Sequence, residues 1–140
     1  WCNKILSIRD IMYSYLPKDK KICLLGSPAT ISCWLYDFED LNYISFTEDE
    51  KAQLWDILLN YSLRNKVDFY LKELENLIEK KQTEWAEFFL FCCTEISEIM
   101  NPSRMLDSLE YGDTLEIYID YLVEKCALKI ESWDYSWLKY

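Results

Sequence analysis

The scarcity of glycine and proline constrains the fold of this chain more than any other feature of its sequence. There are two Gly and three Pro among 140 residues. A sheet protein of this size would need more residues that readily adopt positive φ or preset turns. We therefore expect helices to predominate, in a single domain spanning residues 1–140, because this length is close to the usual size of one domain.

Apolar residues recur at helical spacing along most of the chain, and two helix starts are well marked. Ser27 followed by Pro28 is typical of an N-cap and first helical residue, and Thr47 with Glu50 three positions later forms a capping-box pattern. The spacing predicts an all-α, single-domain helical bundle of about six helices. The predicted helices cover residues 3–16, 27–38, 47–65, 67–81, 83–100 and 115–130, with a short helix at 103–111.

The conformation of three segments is not clearly predicted by this spacing. Residues 20–26 are compatible with a short strand, an irregular segment or another turn of helix, and the conformation of residues 132–140 is not determined by their pattern. Residues 115–119 alternate as a strand would, but the longer spacing from Leu115 to Ile130 favours a helix. In the 83–100 segment, Trp85, Phe88, Phe89, Cys92, Ile96 and Ile99 form the expected buried face.

The chain contains no histidine, which limits the chemistry that it can perform. Serine and cysteine nucleophile systems in their usual forms depend on that residue. Without it, a zinc site would need four of the scattered cysteines brought together. We therefore expect no enzyme activity, no catalytic residues, no cofactor and no metal site. The six cysteines show no metal or disulfide spacing, so we expect free thiols in a cytoplasmic protein, and we interpret Cys92 and Cys93 as packing residues.

Negative charge is concentrated in one part of the chain, where it suggests a protein-binding surface. Between positions 82 and 124 there are ten acidic residues and a single basic residue, Arg104. The whole chain has a net charge of −10. On the predicted helices, Phe91 projects from an acidic stripe, and a second stripe lies near the C-terminus. Aromatic anchors among charges are typical of binding hot spots. The predicted partner-binding residues are Glu84, Glu87, Phe91, Glu95, Glu98, Glu116, Asp120, Glu124, Trp133, Tyr135 and Trp137.

These observations favour an immunity or antitoxin-type inhibitor that neutralises a basic toxin, with a cognate nuclease as the expected partner. Direct nucleic-acid binding is not expected, because acidic surfaces repel phosphate. No membrane interaction is expected either, since the longest apolar runs are far shorter than a bilayer span. The alternatives are a Bcl-2-like helical adaptor that binds a partner helix in a groove and, third, a carboxylate-based hydrolase.

Overall fold

The computed structural model describes residues 7–63 and 67–130, and these residues form a parallel β-sheet with helices on both faces. The four strands are β1 (Lys21–Leu25), β2 (Asn42–Tyr43), β3 (Phe88–Phe91) and β4 (Tyr111–Asp113). Their order across the sheet is β2-β1-β3-β4, and every neighbouring pair is parallel. The predicted all-α bundle is therefore wrong, and the fold is a doubly wound α/β sheet.

Within the described residues, six α-helices connect or flank these strands. They are α1 (Ile8–Tyr15), α2 (Pro28–Ile31), α3 (Glu48–Ser62), α4 (Val67–Thr83), α5 (Thr94–Met100) and α6 (Thr114–Ile130). Short 3-10 turns occur at Trp34–Tyr36 and Arg104–Asp107. No helix within residues 7–63 and 67–130 combines the length and the apolar character that a membrane span requires.

The sheet lies in the middle of the molecule, because successive side chains of a strand point to opposite faces and both faces are covered by helices. Cys23 and Leu25 of β1 join Phe89 and Phe91 of β3 in the core beneath α3, α4 and α5. The alternate residues, such as Ile22 and Leu90, join a second core that includes residues of α1 and α6. The sheet therefore separates two apolar cores, and the central strands are buried on both faces.

The predicted helix over residues 83–100 is correct only for its second half, which is α5, because its first half contains the buried strand β3. All four residues of β3 are buried, and β3 is paired with β1 on one side and β4 on the other. A strand buried on both faces is a continuous apolar run, which helical spacing also accommodates. The short helix predicted over residues 103–111 is also wrong, since a 3-10 turn at Arg104–Asp107 leads into β4.

Several local predictions are confirmed. Thr47 caps α3 in a reciprocal capping box with Glu50, and Ser27 caps α2 with Pro28 at its start. The strand alternative for residues 20–26 is realised as β1. A helix does cover residues 114–130, although Leu115, Ile119 and Val123 on its expected apolar face are exposed. The predicted helix over 27–38 is confined to α2 and a 3-10 turn.

Candidate active site

The strand order creates a crevice at the carboxyl ends of β1 and β3. The chain runs from β1 outward to β2, then crosses back to place β3 on the other side of β1. The loops that follow β1 and β3 therefore leave the sheet in opposite directions, and ligands of doubly wound sheets bind at this reversal. Gly26 follows β1 here, and a Cβ atom added to it would lie 3.0 Å from the Cβ of Cys92. Glycine thus allows the two loops to approach closely.

The loop after β1 contributes two hydroxyl groups. Ser27 Oγ accepts a hydrogen bond from the Thr30 amide at 3.1 Å, which caps α2. Ser27 Oγ and Thr30 Oγ1 are 2.9 Å apart, so one hydroxyl donates to the other. Each hydroxyl has only one hydrogen, so one of the two hydrogens stays available to a ligand.

The loop after β3 contributes the half-buried thiol of Cys93, which occupies the N-cap position of α5. Burial raises the pKa of this thiol, the backbone amides of Ile96 and Ser27 act in the opposite direction, and the neighbouring Glu95 carboxylate raises it further. The net shift is upward, so the neutral thiol is the resting form at neutral pH. Thr94 Oγ1 donates to Glu95 Oε2 at 3.2 Å.

These groups line one cavity of about 330 Å³, closed on its other side by α3. Its volume is near the lower end of small-molecule sites, which span roughly 300–1,000 Å³. The two loops provide Ser27, Thr30, Cys93 and Glu95, and α3 provides apolar side chains. The complete lining is Ser27, Thr30, Trp55, Leu58, Leu59, Cys93 and Glu95.

The adjacent thiol of Cys92 has a different environment. Its side chain is buried, and its Sγ donates a hydrogen bond to the Leu90 carbonyl at 3.3 Å. Burial raises the pKa of Cys92 well above its ordinary value, and it raises the pKa of Cys23 within β1 to about 12. These two cysteines are packing residues, as the sequence predicted for Cys92, whereas Cys93 reaches the cavity. Cys23, Cys33, Cys92 and Cys93 are all free.

The described part of the chain offers no cluster of three or more His, Cys, Asp or Glu side chains that could hold a metal ion. The reactive groups that line the cavity are a thiol, a carboxylate and two hydroxyls. A thiol beside a carboxylate can accept and donate protons.

The predicted acidic stripe around Phe91 does not exist as a single helical face. Phe91 lies in β3, is only 1% exposed and stacks on Tyr111, so it cannot be a surface anchor. Glu84 pairs with Lys81 at 2.8 Å, and Glu87 accepts a hydrogen bond from the Lys21 amide at 3.0 Å.

Glu95 and Glu98 remain together on α5, and of the predicted acidic residues Glu95 alone lines the cavity.

The acidic residues of the second predicted stripe do lie together, in a groove separate from the cavity that contains Cys93. Glu116, Asp120 and Glu124 of α6 line a groove of about 450 Å³ between α1, α6 and β4. Trp133, Tyr135 and Trp137 lie outside the described residues. Binding of a partner by these side chains stays a prediction.

Sequence reasoning missed Ser27, Thr30, Cys93 and Trp55 as site residues. Ser27 was identified only as a helix cap. The pattern that could have revealed the site is that Ser27 and Cys93 each follow a short apolar run. That signal has meaning only when both runs are recognised as parallel strands, because their carboxyl ends then meet at one edge of the sheet.

Comparison with known proteins identifies the fold and no family. No family model and no curated protein matches the chain. Among solved structures, the chain is similar to one described as "Crystal structure of a putative Asp/Glu Racemase from Yersinia pestis", with a TM-score of 0.67 and 17% sequence identity. The match covers 86% of this chain and 53% of the Yersinia pestis chain, so this chain spans about half the length of that protein.

This resemblance, together with the parallel sheet, corrects the functional predictions. The fold resembles that of a protein described as an enzyme, not a helical inhibitor or a Bcl-2-like adaptor. The predictions of a toxin-neutralising function and of a protein without enzyme activity are therefore contradicted. At 17% identity the resemblance establishes the α/β fold alone.

Proposed function

We propose that the chain is an enzyme, or the thiol-bearing half of one, that moves a proton at the carbon next to a carboxylate in a small amino acid. Racemisation is the reaction class that we favour. The observation that carries the proposal is the position of Cys93, whose thiol lies beside the Glu95 carboxylate in an open cavity at the reversal point of the sheet. The similarity to a protein described as an Asp/Glu racemase supports the same class of reaction.

Cys93 suits this reaction because removing a proton from carbon requires a strong base. Loss of the thiol proton to solvent leaves a thiolate whose basicity is increased by partial burial. The thiolate then takes the proton from the α-carbon, and the electron pair of the broken C–H bond moves into the substrate carboxylate to give an enediolate. Solvent that enters the open cavity donates a proton to the opposite face of that carbon, which inverts the centre. The hydroxide formed then removes the proton from Cys93 and restores the thiolate.

The protein environment assists this step in two ways. Apolar residues of α3 cover one side of the cavity, and the lower polarity on that side strengthens electrostatic interactions inside it. The free hydroxyl hydrogen of the Ser27–Thr30 pair can donate to a carboxylate oxygen as negative charge develops there. We also propose a cytoplasmic location, because a reducing compartment keeps such thiols free.

The proposal is tested by exchange of the α-proton of amino acids in deuterated water, followed by proton NMR. We expect exchange by the wild-type protein and its loss, by about 100-fold or more, in Cys93→Ser. Because the pKa of Cys93 is raised, wild-type exchange should increase as the pH rises above neutrality. Absence of exchange across a panel of amino acids would overturn the proposal.

The matched control is Cys92→Ala, which removes the neighbouring thiol outside the cavity and should leave exchange within about twofold of wild type. Iodoacetamide labelling gives a readout independent of turnover. Cys93 should react before Cys92, because Cys93 is half-exposed and Cys92 is buried. Equal loss of exchange in both folded variants would assign the cysteines a structural role instead.

A further inference from the structure

The cavity has two chemically distinct walls. The loops after β1 and β3 supply its polar groups, whereas α3 supplies Trp55, Leu58 and Leu59. These three residues share one face of α3, since they are spaced by three and four positions. Leu58 is buried in the core, and Trp55 and Leu59 are about half exposed beside the opening. The wall facing the thiol is therefore an indole and two leucine side chains.

The charge of the cavity is negative. Glu95 is the one ionised residue among the seven described residues that line it, and none of the seven is Lys or Arg. An amino acid with a second carboxylate would bring that group near Glu95 or against Trp55 and Leu59, without a cation to pair with it. Leaving a carboxylate unpaired in a partly buried site is unfavourable, so such substrates are disfavoured.

An amino acid with an apolar side chain can interact favourably with both the polar and the apolar wall. Its ammonium group can pair with Glu95, and its carboxylate can accept the available hydroxyl hydrogen from Ser27 or Thr30. Its side chain can then be buried against Trp55 and Leu59, which removes apolar surface from water on both partners. The same lining that excludes a second carboxylate thus favours a hydrocarbon side chain.

We infer that this site takes monocarboxylic amino acids with apolar side chains, of leucine or phenylalanine size, and discriminates against aspartate and glutamate. The inference rests on the proposed function for the identity of the ligand as an amino acid. It departs from the acidic substrates in the description of the Yersinia pestis protein. Trp55 and Leu59 are the specificity-determining residues.

Binding is measured by calorimetry in the Cys93→Ser protein, which separates recognition from proton transfer. The probes are leucine, phenylalanine, aspartate and glutamate. We expect leucine and phenylalanine to bind more tightly, and Trp55→Ala and Leu59→Ala each to weaken their binding by at least about tenfold. Leu63→Ala is the matched control, because Leu63 is one helical turn beyond Leu59, is exposed and does not line the cavity.

A gain-of-function variant makes the test independent of loss of folding. Leu59→Arg places a cation at the opening and should shift the preference toward glutamate by about fivefold, the effect of a partly exposed ion pair. Circular dichroism checks that each variant is folded.

Four outcomes separate the two proposals. Tighter binding of aspartate or glutamate than of leucine would overturn the apolar specificity, even where Cys93-dependent exchange is observed. Equal effects of Leu59→Ala and Leu63→Ala would also overturn it. Leucine binding that depends on Trp55, without exchange in the wild-type protein, would support the specificity and overturn the proton-transfer function. Absence of binding by all four amino acids would overturn both.

Discussion

At the scale of single residues, the most constrained charges are Glu50 and Lys81, which lie outside the candidate site. Lys81 is 1% exposed, and its Nζ contacts Glu50 Oε2 at 2.7 Å, Glu84 Oε2 at 2.8 Å and the Ser45 carbonyl at 3.1 Å. Glu50 also accepts a hydrogen bond from the Thr47 amide at 2.7 Å. One buried ion pair thus joins the start of α3 to the end of α4.

The pKa of Glu50 gives this ion pair a defined pH dependence. Burial alone raises that pKa, but hydrogen bonds from Lys80, Lys81 and the Thr47 amide together lower it from 4.5 to about 2. Because the pKa of Glu50 is lower in the folded protein than in the unfolded chain, the ionised carboxylate stabilises the fold at pH values above the unfolded pKa of 4.5. This stabilisation is lost as the pH falls from 4.5 to about 2.

Glu50→Gln should therefore lower the free energy of unfolding at pH 7 by about 3 kcal/mol, since Lys81 would lose a buried partner. The difference from wild type should decrease below pH 4.5. Urea unfolding across this pH range measures both effects. The control is Glu48→Gln, because Glu48 pairs with Lys51 on the surface and should contribute less than about 1 kcal/mol. A pH-independent difference would contradict the assignment.

At the scale of elements, the end of α4 explains why the helix predicted from residue 83 does not form. The Ala86 amide donates to the Lys81 carbonyl at 2.9 Å, and the Trp85 amide donates to the Gln82 carbonyl at 3.0 Å. This Schellman pattern places Trp85 in the left-handed region, with φ of 74°. Glycine usually occupies that position. Without it nothing in the sequence marked the turn that follows α4, so a second helix was predicted to begin directly after the one over 67–81.

Trp85 is 74% exposed, so its side chain contributes little packing to offset the unfavourable backbone conformation. We expect Trp85→Gly to increase the free energy of unfolding by about 0.5–1 kcal/mol, the steric cost of a left-handed residue less the entropy of glycine. Trp85→Ala retains a Cβ atom and should change stability by less than about 0.5 kcal/mol. Thermal unfolding of both variants is the measurement. Stabilisation by alanine equal to that by glycine would indicate a side-chain effect.

At the scale of the whole molecule, β3 holds the two cores together. Phe91 illustrates this role, because it is buried in the core beneath α3 and α5 while its neighbour Leu90 lies in the opposite core. The sheet also determines the candidate site, since the same strand ends where Cys92 and Cys93 begin the next loop. The four residues of β3 therefore contribute to both cores and also set the position of the candidate site.

Phe91→Ala should lower the free energy of unfolding by about 3–5 kcal/mol, because it leaves a cavity in the core. The comparison is Phe69→Ala, since Phe69 is an exposed residue of α4 that stacks edge-on against Tyr70. This control should change stability by about 0.5 kcal/mol. Chemical denaturation distinguishes the two, and a small effect of Phe91→Ala would place β3 outside the core.

Short-range signals in the sequence determined the ends of several elements. The capping box at Thr47 and Glu50, and the Ser27–Pro28 start, act through hydrogen bonds within one helical turn, so adjacent residues suffice to predict them. The helix over residues 114–130 was predicted too, although Ile117, Tyr118 and Tyr121 pack against the core and the Leu115, Ile119 and Val123 positions behind the prediction are exposed. The free state of the four described cysteines followed from their irregular separation along the chain.

Only the tertiary structure decided that Phe88–Phe91 is a strand and that Cys93 belongs to a cavity. A run that is buried on all sides carries no periodicity, so its conformation depends on whether β1 and β4 are present to complete its backbone hydrogen bonds. Those strands lie far away in the sequence. The site has the same dependence, because Ser27 and Cys93 become neighbours only when two parallel strands end at one edge of the sheet.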